Sequence, residues 1–209
     1  QAAEKRLNLI VSHEGAFLNN YYAGHESART VIEAKRELLD SLGIAVIRCH
    51  DVWDRMPEIG IPDVWADWLG YETEERQTES YYKICLVGDA TVEDVARHIA
   101  DRVAELGQDT VLIHGDRSKR VSRMAVGTGA ITHLPLMVEL GADLMLVTDD
   151  GIQTTSAGLY ALELGVPLIV VGHATAEKPG MMAMARHLRE VFPGVPVEYI
   201  PVDMCYRRL

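Results

Sequence analysis

Cysteine is scarce in this sequence. The three present in 209 residues, Cys49, Cys85 and Cys205, are odd in number and widely spaced. That pattern excludes a disulfide framework or a cysteine-caged zinc as the basis of the fold and fits a reducing, cytoplasmic setting. Long apolar runs are missing too. The longest, Val166–Val171, contains Pro167 and falls far short of the roughly 20 residues that cross a bilayer. Positive charge is in deficit: Lys and Arg number 20 against 31 Asp and Glu, a formal charge of −11. A nucleic-acid binder or a protein docked on an anionic membrane needs the opposite balance, so neither partner is expected. No secretory leader is visible, although the chain opens on Gln1 rather than Met, so a segment ahead of it has been removed or left out.

Two familiar catalytic signatures are also lacking. Gly127–Ala130 reads GTGA after an apolar run, but it has neither the spacing of a dinucleotide fingerprint nor a P-loop lysine, which leaves it only as an anion-binding turn. No G-x-S-x-G elbow surrounds Ser12, so it is not a nucleophile of that kind.

What is present is an ordinary core-forming composition, 48% hydrophobic and 24% charged, in a chain long enough to fold without covalent staples. Apolar runs of strand length fall at Leu7–Val11, Ile44–Ile47, Ile84–Val87, Thr110–Ile113, Met124–Val126, Leu144–Val147, Leu168–Val171 and Val195–Ile200. Amphipathic stretches lie between them at Ser27–Leu42, Val64–Leu69, Thr91–Leu106, Ile131–Leu140, Thr154–Leu164 and Met181–Val191. Thr91 with Asp94 marks a helix start, and Gly107, Gly141 and Gly165 mark stops. Alternating strands and helices predict an α/β fold with a largely parallel sheet. The polar stretch Tyr71–Ser80 is the best boundary between two lobes, which divides the chain into 1–75 and 76–209.

An internal echo runs through the chain. AEKRLNLIVSHEG ends at Gly15 and ELGADLMLVTDDG at Gly151. Each is followed by a helix and a second strand that finishes in His-x-x-x-acid, His50/Asp54 in one half and His173/Glu177 in the other. A diverged duplication and a chance likeness of two crossovers both account for it. In open parallel sheets, ligands gather beyond the carboxyl ends of strands, where all of these polar clusters fall.

His13 and Glu14, beside the turn-permitting Gly15, suit a divalent ion, but taken alone the pair reads first as a polar loop start. The i, i+4 spacing of His50/Asp54 and of His173/Glu177 puts each pair on one face of a helix. Pro179 belongs in a first helical turn, which places Glu177 at or before the helix start, as a complement to its dipole or as a ligand, and His173 in the preceding loop. Taken together, His13, Glu14, Asp54, His173 and Glu177 form a set of imidazoles and carboxylates able to hold two divalent ions. His98 and His187 read as solvated surface, and His25, His114 and His133 lack acids arranged as co-ligands. Trp53 precedes a helix-like region whose Trp65 and Trp68 read as a packing or interface stripe.

The segments LIVSHEG, HDVWDRMPEIGIPDVWADWLG, VSRMAVGTGAITHLPLMVELGADLMLVTDDG and VPLIVVGHATAEKPGMMAMARHLRE resemble the NGG-interacting-factor-three-like dinuclear-metal proteins, many of which bear the label GTP cyclohydrolase 1 type 2 homologue. The likeness spans nearly the whole chain, which enters near the end of the family's first helix at Gln1–Arg6. It implies two related α/β lobes with mostly parallel or mixed sheets, a metal cleft between them and a ring-shaped homohexamer. It further implies two divalent ions (Mn, Fe, Zn or Mg) on His13, Glu14, Asp54, His173 and Glu177, with His50 as a neighbouring supporting group. The implied activity is hydrolysis of a small, nucleotide-like molecule by metal-activated water, with Glu14 or Glu177 moving a proton. Two departures stand out: Glu14 occupies the place of the family's second histidine and favours harder ions, and a stretch often rich in histidine reads Ile152-Gln153-Thr154-Thr155 here. A non-catalytic, metal-binding ring that presents surfaces to partners is the alternative, and a relative without metal is a third.

Overall fold

A computed structural model describes residues 1–18, 22, 24–76, 80–129 and 132–202. Cys205, the linker residues 77–79, Ala130 of the GTGA turn and Ile131 at the expected helix start lie outside the described residues. The first residues close as a helix end: Leu7 N–H donates to Ala2 O and Arg6 N–H to Ala3 O, with Arg6 at φ 57°, the left-handed geometry that terminates helices.

The chain then builds a parallel crossover: β1 (Leu9–Ser12), α1 (Glu26–Ser41) and β2 (Ala45–Arg48), with Leu9 opposite Ala45 and Ser12 opposite Arg48. Two short helices follow, α2 (Asp51–Asp54) and α3 (Ile61–Trp68). The rest of the described chain forms β3 (Glu72–Thr73), β4 (Lys83–Thr91), α4 (Val92–Ala104), β5 (Leu112–His114), β6 (Arg120–Val126), α5 (Leu134–Glu139), β7 (Leu144–Thr148), α6 (Ala157–Leu164), β8 (Leu168–Val171) and α7 (His173–Val191). Its six-stranded sheet has the order β3-β4-β6-β7-β8-β5. The architecture is α/β, but the sheet is mixed rather than largely parallel: β6, β7 and β8 run parallel, while β3, β4 and β5 join antiparallel at the flanks.

Central strands β7 and β8 are buried at every position, which explains their unbroken apolar sequences. Alternate residues feed opposite faces. Leu144, Leu146, Ile169 and Val171 pack with Trp65, Ile99 and Val103, under α3 and α4. Met145, Val147, Leu168 and Val170 pack with Leu134, Met137 and Ala161, under α5 and α6. α4 begins with the expected capping box, in which Asp94 N–H donates to Thr91 Oγ1 (3.1 Å) and Thr91 N–H to Asp94 Oδ2 (3.3 Å).

Several expectations need correction. No strand forms over 195–200. α7 begins eight residues before the expected Met181, so Glu177 lies inside it and His173 is its first residue, with Pro179 in the helix interior. The early start has a tertiary cause: Asp149, just past β7, caps the new helix by accepting His173 N–H at 2.8 Å, and no local pattern in the sequence reveals that partner. The hydrogen bond lost at Pro179 is offset by packing, since Gly180 sits against Ile61 and its carbonyl accepts from Trp53 Nε1 at 3.1 Å. His98 and His187 are half-buried rather than solvated: His98 Nε2 bonds Leu69 O at 2.7 Å, and His187 packs on Trp53. Trp65 is a fully buried core residue.

Both halves of the sequence echo are parallel β-α-β crossovers, β1-α1-β2 and β7-α6-β8. The last pair in the first is Ser12 with Arg48, and in the second Thr148 with Val171. Two residues beyond those ends stand Glu14 and His50 in one, and Asp150 and His173 in the other.

The seam between α3 and α7 depends on Gly180, where a Cβ would stand 2.5 Å from Ile61 Cγ1 and 2.8 Å from its Cα. Gly180→Ala is expected to destabilise the fold by about 1–3 kcal/mol through overpacking. Gly194→Ala, in open space, changes stability by less than about 0.5 kcal/mol. Denaturant unfolding of the two variants side by side checks this.

Candidate metal centre

The clusters that follow β1, β2 and β8 converge. His13 leaves the end of β1 buried, and its Nε2 lies 3.5 Å from Asp54 Oδ1 and 3.3 Å from Glu177 Oε1. Its other nitrogen, Nδ1, bonds Cys49 O at 3.3 Å. His50 stacks on the His13 ring with centroids 4.1 Å apart. His50 Nε2 meets Glu14 Oε1 at 3.2 Å, while Nδ1 bonds Asp51 Oδ1 at 2.6 Å and lies 3.5 Å from Asp54 Oδ2. His173 Nε2 is 2.5 Å from Glu177 Oε1 and 3.8 Å from Glu14 Oε1. All five side chains singled out in the sequence, together with His50, therefore share one cluster. One turn of α7 aligns His173 with Glu177, as the i, i+4 spacing requires.

Its electrostatics follow from burial against pairing. Burial works against a charged His13, but the hydrogen bond and charge of Glu177, with Asp54, outweigh it and raise its pKa. Burial raises the Asp54 carboxyl despite the opposing imidazoles of His13 and His50. Glu177 is also pushed up by burial, yet hydrogen bonds from His13 and His173 leave it below the usual carboxylate range. Asp150 and Glu177 raise His173 to about 10. Burying like-charged carboxylates is costly without cations beside them, and here two imidazoles supply part of that compensation.

The residues fit a divalent ion. Buried Asp54 Oδ1 accepts no hydrogen bond among the described residues, and His13 Nε2 at 3.5 Å is its ion-pair neighbour, so it keeps the capacity to accept from a cation. Two groups, His13/His50/Asp54 and His13/Glu14/Glu177, each bring one donor atom per residue within 4.8 Å of one another. Mixed imidazole and carboxylate donors suit first-row divalent metals. The His13 Nδ1 contact with a backbone carbonyl is the usual way a ligating histidine is oriented.

Sequence reasoning missed three residues that support the cluster. Asp150 bonds His173 Nδ1 at 2.7 Å. The echo offered a signal, because Asp149-Asp150-Gly151 stands where His13-Glu14-Gly15 stands in the other crossover. Asp51 bonds His50 as described, and Arg76 braces the backbone around Asp54, donating to Asp54 O (3.3 Å) and Met56 O (3.2 Å) while paired with Asp63; neither left a sequence signal. Gly129 of the GTGA turn lies against His173, where a Cβ would stand 3.2 Å from Nε2, so that turn borders the cluster.

A family model described as Duf34/NIF3 (NGG1p interacting factor 3) matches residues 1–205. A Deinococcus radiodurans protein named GTP cyclohydrolase 1 type 2 homolog is 27% identical over 219 residues, 95% of this chain and 73% of that protein. A namesake from Neisseria meningitidis serogroup B is 26% identical over 197 residues, covering 91% and 74%. Among solved structures, Staphylococcus aureus protein SA1388 superposes with a TM-score of 0.76 at 19% identity, covering all of this chain and 82% of that one, a likeness of fold.

The His173 pairing sets a pH dependence. Its folded pKa of about 10 lies above the ordinary 6.5, so its charge stabilises the metal-free fold fully below pH 6.5, and that contribution is lost as pH rises through about 10. If a divalent ion were held at Nε2 it would displace the proton, and Mn²⁺ affinity would then tighten with rising pH, by up to about tenfold per pH unit for each proton displaced. Titration calorimetry at mildly acid and mildly alkaline pH measures this, and a pH-independent affinity would contradict it.

Proposed function

The chain belongs to the Duf34/NIF3 family, and from that membership and the geometry of the cluster we propose that it is a hydrolase dependent on two divalent ions, acting on a small nucleotide-like molecule. The buried Oδ1 of Asp54, without a hydrogen bond among the described residues and set among imidazoles and carboxylates, carries this reading. His13, Glu14 and Asp54 from the first 75 residues, with His173 and Glu177 from the remainder, would hold the ions. Divalent ions in such a site polarise a substrate oxygen and lower the pKa of water toward about 7. Manganese and iron suit the oxygen-rich donor set that Glu14 creates, with zinc and magnesium as further candidates.

The two carboxylates proposed to act in catalysis differ in access. The Glu177 side chain is only 11% exposed and sits between His13 and His173, which suits a ligand that also stabilises charge. The Glu14 carboxylate is 55% exposed and reaches the mouth of the cluster, where it can take a proton from water and return it to a leaving group. The name GTP cyclohydrolase 1 type 2 homolog borne by the relatives makes a purine nucleotide such as GTP the first substrate to try. The same reading has the protein work as a cytoplasmic homo-oligomer, a hexameric ring by its family likeness.

The test is turnover of a nucleotide and phosphoester panel in the presence of Mn²⁺, Fe²⁺ or Zn²⁺. Activity in the parent is expected to fall by about a hundredfold or more in Glu14→Gln, as for loss of a proton-transfer group, and to vanish when all five proposed ligands are replaced by alanine. Bound metal with no turnover on any member of the panel would favour the non-catalytic ring instead.

A further inference from the structure

We propose, on the reading of His173 as a metal ligand given above, that Asp150 is a positioning residue whose carboxylate fixes the His173 ring so that Nε2 alone faces the cluster. Asp150 Oδ2 lies 2.7 Å from His173 Nδ1 and accepts its N–H. The other oxygen, Oδ1, accepts from Thr148 Oγ1 at 2.9 Å. Thr148 is completely buried at the end of β7, and its hydroxyl also lies 3.2 Å from Gly129 O. The carboxylate is thus fastened through one oxygen to the sheet and offers the other to the ring.

The remaining contacts of His173 act in the same sense. Its backbone N–H is held by Asp149 Oδ1 at 2.8 Å. Gly129, at φ 66°, closes over the ring where a Cβ would stand 3.2 Å from Nε2 and 3.5 Å from Cε1. With Nδ1 occupied, Nε2 is the nitrogen left to Glu177 and Glu14. Each neighbouring imidazole commits a nitrogen likewise, His13 Nδ1 to Cys49 O and His50 Nδ1 to Asp51. Ligating histidines generally pass their second N–H to a carboxylate or carbonyl, which fixes the tautomer and strengthens the ligand. Asp150 stands two residues past β7, as Glu14 stands two past β1, so each crossover sets an acid beside the imidazole that follows its partner strand. In the first crossover the acid meets Nε2 and joins the cluster; in the second it meets Nδ1 and steers from behind.

The experiment uses the full chain with Zn²⁺ as a diamagnetic probe, reading affinity by calorimetry and the His173 nitrogens by ¹⁵N NMR. The parent is expected to show one form, Nδ1 protonated and Nε2 ligated. Asp150→Ala is expected to bind Zn²⁺ about 10–100-fold more weakly, the usual cost of removing such a partner, and to show mixed ligation at His173. Asp150→Ser, too short to reach the ring, gives the same result if the alanine variant does not fold. Asp150→Asn keeps an acceptor oxygen and retains the single Nε2-ligated form with most of the affinity. The proposal is overturned if truncation leaves affinity within about twofold and the single form intact, or if asparagine loses as much as alanine. His173→Ala separates the two levels. Unchanged Zn²⁺ affinity in that variant removes the ligand assignment itself, whereas a large loss there with none at Asp150 removes only the positioning role.

Discussion

Acidic side chains buried beside imidazoles at the ends of parallel strands are the constraint around which this molecule is arranged. Asp54 and Glu177 lie almost wholly out of solvent within reach of His13. A carboxylate so placed must find positive charge or give up its ionisation. The imidazoles of His13 and His173 supply some of that charge, and their raised pKa values register the exchange. Asp54 Oδ1 has His13 Nε2 at 3.5 Å but accepts no hydrogen bond among the described residues.

Holding such a cluster requires rigid supports, and the fold provides them from several directions. β1 and β2 set His13, Glu14 and His50; α2 carries Asp54, with its backbone clamped by Arg76; α7 carries His173 and Glu177 on one turn. α7 is fixed in turn by Asp149 at its first residue and by the close approach of Gly180 to Ile61. The central strands β7 and β8, buried on both faces, anchor the second crossover to the core. Packing energy in the sheet is therefore what keeps the charged groups in place.

Glu14 joins the two halves of the cluster. Its carboxylate touches His50 and approaches His173, linking the two crossovers. That carboxylate adds negative charge beside the buried Asp54 and Glu177.

Much of this was legible along the chain. Unbroken apolar runs announced the buried strands, the Thr91/Asp94 pair announced α4, and His or acid directly after β1, β2 and β8 pointed to the residues that meet. Those signals are local, set by periodicity, capping chemistry and strand ends. The early start of α7, the antiparallel flanks of the sheet, the half-burial of His98 and His187, and the contacts of Arg76 left no such mark. Each depends on a partner tens of residues away, brought near only when the sheet assembles. Residue type and position past the strand ends were enough to single out the imidazoles and carboxylates that meet. Assembly of the fold chose which nitrogen of His13 and of His173 faces inward, because their other nitrogens bond Cys49 and Asp150, residues of distant segments.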